Sequence, residues 1–173
     1  MDLVVCHDVE RHFVCRLYLG QVGVEYATSL QNAEPATQQG VFMSLNLIDE
    51  IVSTHDEFTQ IRRDIHQHPE LAYEEHRTAE LVAEKLESYG IDIHRGLGKT
   101  GVVGTLRSGG GNRAVALRAD MDALAMDELN TFDHASVHAG KMHGCGHDGH
   151  TAMLLGAARY LANNRDFDGT VHF

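Results

Sequence analysis

The stretch Lys141-Met-His-Gly-Cys-Gly-His-Asp-Gly-His150 sets one thiol, three imidazoles and one carboxylate among three glycines. Cys145 and His147 are two residues apart, so in an extended or turn conformation both side chains project to one side and hold one metal ion. Thiolate and imidazole together suit Zn, Co, Ni or Fe, and a neighbouring carboxylate widens the choice to Mn. A Cys-x-His pair by itself is more often a small buried thiol beside an exposed imidazole. The segment after His150 shifts the balance towards a site. Thr151-Ala-Met-Leu-Leu-Gly-Ala-Ala-Arg-Tyr-Leu-Ala162 carries Met153, Leu154, Ala157, Ala158 and Leu161 at helical spacing. The ligand loop therefore feeds a helix N-terminus, whose positive dipole end and free N–H groups favour thiolate over thiol. A structural zinc knuckle fits less well, because it takes four protein ligands and the other thiols, Cys6 and Cys15, lie far upstream. A cysteine hydrolase with Cys145 as nucleophile and His147 or His150 as base also fits less well. At such short spacing the imidazole is poorly placed to activate the thiol.

Working outward, Ala114-Val-Ala-Leu-Arg-Ala119 reads as a buried strand ending in Asp120-Met-Asp122. Carboxylates at the C-terminal edge of such a strand either cap the next turn or serve a site. Spacing two puts Asp120 and Asp122 on the same side, so one can lie near the metal while the other fixes an imidazole. Upstream, 91–94 and 101–106 read as short strands, and Ser108-Gly-Gly-Gly-Asn112 as the hairpin turn leading into the third. No Gly-Lys-Ser/Thr follows these glycines, which excludes a phosphate loop. One amphipathic helix is expected from Ser44, a capping residue, to Pro69, and a second from Glu75 to Ser88 with Gly90 closing it. Between them, His66, His68 and Glu70 read as turn-fixing hydrogen-bonders rather than metal ligands. Thr131 to Gly140 reads as a polar loop in which His134 and His138 are solvated, and Asp168-Gly169 turns the chain into a strand over 170–173.

The whole chain has 173 residues, 43% of them hydrophobic, with net charge −11 and pI near 5.5. That balance excludes nucleic acid and anionic membranes as natural partners, since either calls for a basic face. No apolar run reaches membrane-spanning length, and Asp2, His7, Asp8 and Glu10 stand where a signal peptide would carry positive charge, so a cytoplasmic protein is expected. Three cysteines at irregular spacing form no disulfide framework. Residues 1–43 show no clear periodicity and are expected to be weakly structured or a spurious extension, with Met43 the natural start. Residues 44–173 form the structured part.

Four segments then carry a resemblance: Arg63-Asp-Ile-His-Gln-His-Pro-Glu-Leu71, Leu117-Arg-Ala-Asp-Met-Asp-Ala-Leu124, Gly140-Lys-Met-His-Gly-Cys-Gly-His-Asp-Gly-His-Thr-Ala152 and Asp166-Phe-Asp-Gly-Thr-Val-His-Phe173. In this order they resemble successive motifs of the hippurate hydrolase and indole-acetyl-amino-acid hydrolase group of metallopeptidases. The resemblance implies an α/β fold, a three-layer sandwich with a mixed sheet, of which 44–173 would be the N-terminal, truncated part of the catalytic domain. It implies a metal-dependent amidohydrolase that splits N-acyl amino acids such as hippurate, uses Mn, Zn or Co, and forms a homodimer. Carried over, Cys145 and His147 match the family's metal ligands, and Asp122 matches its orienting carboxylate, the catalytic candidate in this chain. The family's general base, a glutamate in a Gln-Pro-Ala-Glu-Glu motif, and its remaining ligands lie further downstream. Ala125 stands where the family usually has proline. A catalytically inactive fragment that binds metal weakly is the alternative.

Overall fold

The computed structural model describes residues 4–9, 12–17 and 48–173. The chain divides into two compact units, Met1–Leu47 and Ile48–Phe173. In the first, β1 (Val4–Val9) pairs antiparallel with β2 (His12–Leu17), with Cys6 opposite Cys15 in register. Sequence periodicity places no element here, yet the short apolar pairs Val4-Val5 and Phe13-Val14 fall in these strands, as β-branched and aromatic residues favour. The expected cap at Ser44 lies outside the described residues.

The second unit begins with α1 (Asp49–Ser53) and α2 (His55–Gln67), where the sequence suggested one helix. The break falls at Thr54, whose φ of −102° and ψ of 3° leave the helical well. Its backbone N–H and its hydroxyl both donate to the Ile51 carbonyl, taking the acceptor that a continuing helix would use. At the other end Pro69 acts as expected, with His68 at φ −121° closing α2. Helix α3 (His76–Ser88) comes next and ends at Gly90, whose φ of +71° suits glycine.

Strands β3 (Asp92–Leu97), β4 (Gly101–Ser108), β5 (Ala114–Ala116) and β6 (Gly169–His172) form a mixed sheet in the order β3-β4-β6-β5, with α4 (His147–Asn163) between β5 and β6. β4 pairs antiparallel with β3 and β6, whereas β5 runs parallel to β6. This corrects two expectations. The 108–112 glycines do not turn a hairpin, because β6 is inserted between β4 and β5. They let the backbone close on Asp168 instead, whose Oδ1 accepts from the Gly110 and Gly111 amides at 2.9 and 2.7 Å. The strand expected over 114–119 is three residues long and exposed rather than buried, since it is an edge strand among the described residues.

One sheet face meets the helices. Leu106, Val171 and Phe173 join Ile61 and Ile65 of α2, Val82 and Leu86 of α3, and Leu155 and Ala158 of α4 in a single core. Full burial of each large side chain contributes about 1.5–3 kcal/mol. Gly104 keeps α3 close to the sheet, for a Cβ there would stand 3.1 Å from both Ile91 and Leu86 side chains. The fold is thus the expected α/β type, and its sheet and one helical layer lie in the described residues. No described helix is long and apolar enough to cross a membrane. Because β5 and β6 are parallel, α4 is the crossover between them, and its N-terminus returns to the residues just after β5. That geometry carries His147 to Asp122 and Thr151 to the Asp120 backbone.

Candidate metal centre

Helix α4 starts at Gly146, a residue with φ +80° and ψ 15° that makes no side-chain cap. A left-handed turn at this point favours glycine, and it leaves His147 as the first helical residue. The His147 Nδ1 lies 2.9 Å from the Asp122 carbonyl and 3.0 Å from its Oδ1. Both neighbours are acceptors, so Nδ1 carries the proton and the Nε2 lone pair is left for another partner. This is the arrangement in which a carboxylate orients a ligating imidazole. Cys145, two residues earlier, is a free and exposed thiol. Among the described residues no imidazole is hydrogen-bonded to it.

The two carboxylates after β5 have separate tasks. Asp122 holds His147, whereas the Asp120 carboxylate pairs with Arg118 Nη2 at 2.6 Å on the surface. The Asp120 backbone carbonyl accepts from Thr151 Oγ1 at 3.2 Å, a second tie between this segment and α4. The paired aspartates therefore do not converge as the spacing alone suggests.

A second polar cluster lies behind α4, and sequence reasoning missed it. Buried His66 donates from Nδ1 to Asp148 Oδ2 at 2.9 Å and from Nε2 to Glu128 Oε1 at 3.0 Å. Arg62 Nε donates to the same Asp148 oxygen at 3.2 Å. With both ring nitrogens on carboxylates, His66 is an imidazolium, and the Asp148 bond foremost raises its pKa above the usual histidine range. Burial pushes Asp148 up, but the His66 bond and the neighbouring cations prevail and hold its pKa below the usual value. His66 is thus a cross-chain tie rather than a turn-fixing residue. His68 and Glu70 do fix turns: His68 Nδ1 donates to the Asp64 carbonyl at 2.8 Å, and Glu70 accepts from the Arg77 and Thr78 amides and the Thr78 hydroxyl. His134, expected in solvent, is half-buried and stacked on Phe132 with ring centroids 4.1 Å apart. His143 is 4% exposed, and neither of its ring nitrogens has a hydrogen-bond partner among the described residues. Burial holds its pKa down at about 4, so it is neutral. A signal for the cluster existed, since Arg62 and His66 are four apart beside the apolar residues Ile61 and Ile65. Cations on an inward helix face require buried acids.

A thiol and an imidazole with its far nitrogen fixed on a carboxylate suit a divalent metal. Among the described residues no group of three or more His, Cys, Asp or Glu side chains converges to hold one. The described residues thus offer a partial ligand set.

Residues 116–173 match the sequence profile of Peptidase family M20/M25/M40. The hippurate hydrolase of Campylobacter jejuni is 47% identical over 128 residues, which cover 74% of this chain and 33% of that protein. The N-acyl-L-amino acid amidohydrolase of Geobacillus stearothermophilus is 51% identical over 61% of this chain and 28% of its own length. Among solved structures, a Bacillus subtilis protein described as a dinuclear metal-binding peptidase of the M20 family superposes with a TM-score of 0.67 at 38% identity, covering 70% of this chain and 35% of that one. The chain spans about a third of the length of the curated relatives it matches. The resemblance drawn from the four motifs holds in sequence and in fold.

Proposed function

With likeness to the M20 peptidases as the premise, we propose that this chain carries part of the metal centre of an amidohydrolase that cleaves N-acyl amino acids. Cys145 and His147 are its metal ligands, and Asp122 is the carboxylate that orients His147. The observation that supports this most is the double acceptor at His147 Nδ1, which leaves Nε2 as a ligand, two residues along the chain from a free thiol. A bound Mn, Zn or Co ion would polarise the scissile carbonyl and lower the pKa of a bound water. The chain's own residues prepare for that ion. Asp122 fixes the tautomer and orientation of the His147 ring, and Cys145 stands just ahead of the α4 N-terminus.

A second reading, metal binding without turnover, is favoured by the partial ligand set. Among the described residues His147 is hydrogen-bonded to Asp122 and to no glutamate, and loss of a general base costs about two to four orders of magnitude in rate. The chain by itself is therefore expected to bind divalent metal weakly and to show no measurable hydrolysis of hippurate or N-acetyl amino acids. The test is turnover with added Mn, Co or Zn, with chelator or iodoacetamide in parallel. Chelator-sensitive turnover would remove the second reading. Chelator-resistant, iodoacetamide-sensitive turnover would overturn both and make Cys145 a nucleophile.

A further inference from the structure

We propose that His66 is a positioning residue for the Cys145 and His147 pair: its ring links Asp148, beside His147, to Glu128 in the loop that closes over the backbone before Cys145. This role rests on Cys145 and His147 being metal ligands.

Helix α4 begins without a side-chain cap. Core packing of Ala152 and Leu155 holds its later turns, and three polar ties hold the first. The His147 and Thr151 ties both run to the 120–122 segment, which has no regular structure. The third runs from Asp148, 1% exposed, to helix α2, and it is the one anchored in a second rigid element. His147 and Asp148 are neighbours about 100° apart on the helix, so a rotation that frees one carries the other with it. A hydrogen bond of 2.9 Å weakens steeply once stretched much beyond about 3.2 Å, so slack of a few tenths of an ångström at Asp148 reaches the His147 contact to Asp122. Arg62 also reaches Asp148, but its side chain is 36% exposed, whereas that of His66 is 9% exposed and is held at both nitrogens.

The other nitrogen holds the loop. Glu128 accepts from His66, from the Ser136 amide and from Asn130, which gathers residues 128–136 on one carboxylate. Just before it, Leu124 and Met126 pack on Gly144, where a Cβ would stand 3.1 Å from the Met126 sulfur. One ring therefore braces the helix that carries His147 and the loop that packs on Gly144, the residue before Cys145.

The two bonds are separable. An asparagine amide reaches the place of Nδ1 and a glutamine amide that of Nε2, so His66→Asn keeps the Asp148 link and His66→Gln keeps only the Glu128 link. Glu128→Gln, with an oxygen still available to His66, serves as a milder companion to His66→Asn. In the full metal-free chain, 15N-NMR of His147 is expected to show the proton on Nδ1 in the wild type, His66→Asn and Glu128→Gln, and a mixture of tautomers in His66→Gln. Cobalt affinity, titrated where each variant is folded by circular dichroism, should fall about 10–100-fold in His66→Gln, which frees His147, and severalfold less in His66→Asn and Glu128→Gln, which keep the Asp148 link and loosen only the loop before Cys145. A folded His66→Gln with an unchanged tautomer and affinity overturns the role. Equal losses in all three variants that merely track their melting temperatures also overturn it. If the wild type binds no cobalt at all, the metal-centre reading falls, and the tautomer comparison still decides the role of His66.

Discussion

Replacing Asp148 by asparagine removes an anion that His66 and Arg62 share while keeping the side chain's size. Asp148 is 1% exposed and accepts from both cations at 2.9 and 3.2 Å. Breaking a buried pair by deleting one partner costs about 3–5 kcal/mol, because a charge is left without compensation in a poorly solvated place. Two features pull the figure to the low end. The Arg62 side chain is 36% exposed, so water replaces most of its loss, and surface pairs are worth about 0–1 kcal/mol. His66 retains Glu128 on its other nitrogen. The expected loss is about 3 kcal/mol, a large part of the roughly 5–15 kcal/mol that holds a domain together. Urea denaturation near pH 6 measures it, with the slope m unchanged so that the shift in midpoint reports stability. The pH dependence has a definite sign. The pKa of His66 is raised above 6.5 in the folded chain, so its contribution is complete below 6.5 and fades as pH rises through the folded value. The gap between the wild type and Asp148→Asn should therefore narrow on the alkaline side. A loss below about 1 kcal/mol near pH 6, or a gap that widens with pH, would refute the view of this cluster as a buried, charged tie.

Glu70→Ala deletes the acceptor of three hydrogen bonds at the start of α3 and is expected to cost about 1–2 kcal/mol, with faster amide exchange at Thr78 as the local readout. At Gly169, φ is +144° and an added Cβ would stand 2.5 Å from the Arg113 carbonyl oxygen, so Gly169→Ala should destabilise by about 1–3 kcal/mol in a thermal melt. Gly110→Ala is the control, since nothing lies within 4 Å of its Cβ position, and it should change stability by less than about 0.5 kcal/mol.

What could be read from the sequence was local. Apolar spacing after His150 gave α4, the drop to short strands after Gly90 gave the sheet, and spacing two at Asp120 and Asp122 drew attention to the carboxylate that holds His147. What could not be read was set by distant partners. The glycines at 109–111 look like a turn until β6, some sixty residues later, enters between β4 and β5 and brings Asp168 to them. The exposure of β5 likewise depends on its edge place and not on its own composition. His66 finds its carboxylate 82 residues away, and the only local hint is a cationic pair on the buried side of α2. Thr54 breaks its helix through a hydroxyl competing for one carbonyl, a contest that an unbroken apolar stripe does not display.

The most direct test of the metal centre is cobalt(II) titration followed by absorption. A cobalt ion bound by Cys145 and His147 produces a thiolate-to-metal charge-transfer band in the near ultraviolet, which chelator should erase. The band is expected to survive in Cys6→Ser and Cys15→Ser, to vanish in Cys145→Ser, and to need about 10–100-fold more cobalt in Asp122→Asn, where the orienting carboxylate is gone. A band of equal strength in Cys145→Ser would contradict the assignment of this thiol as a ligand.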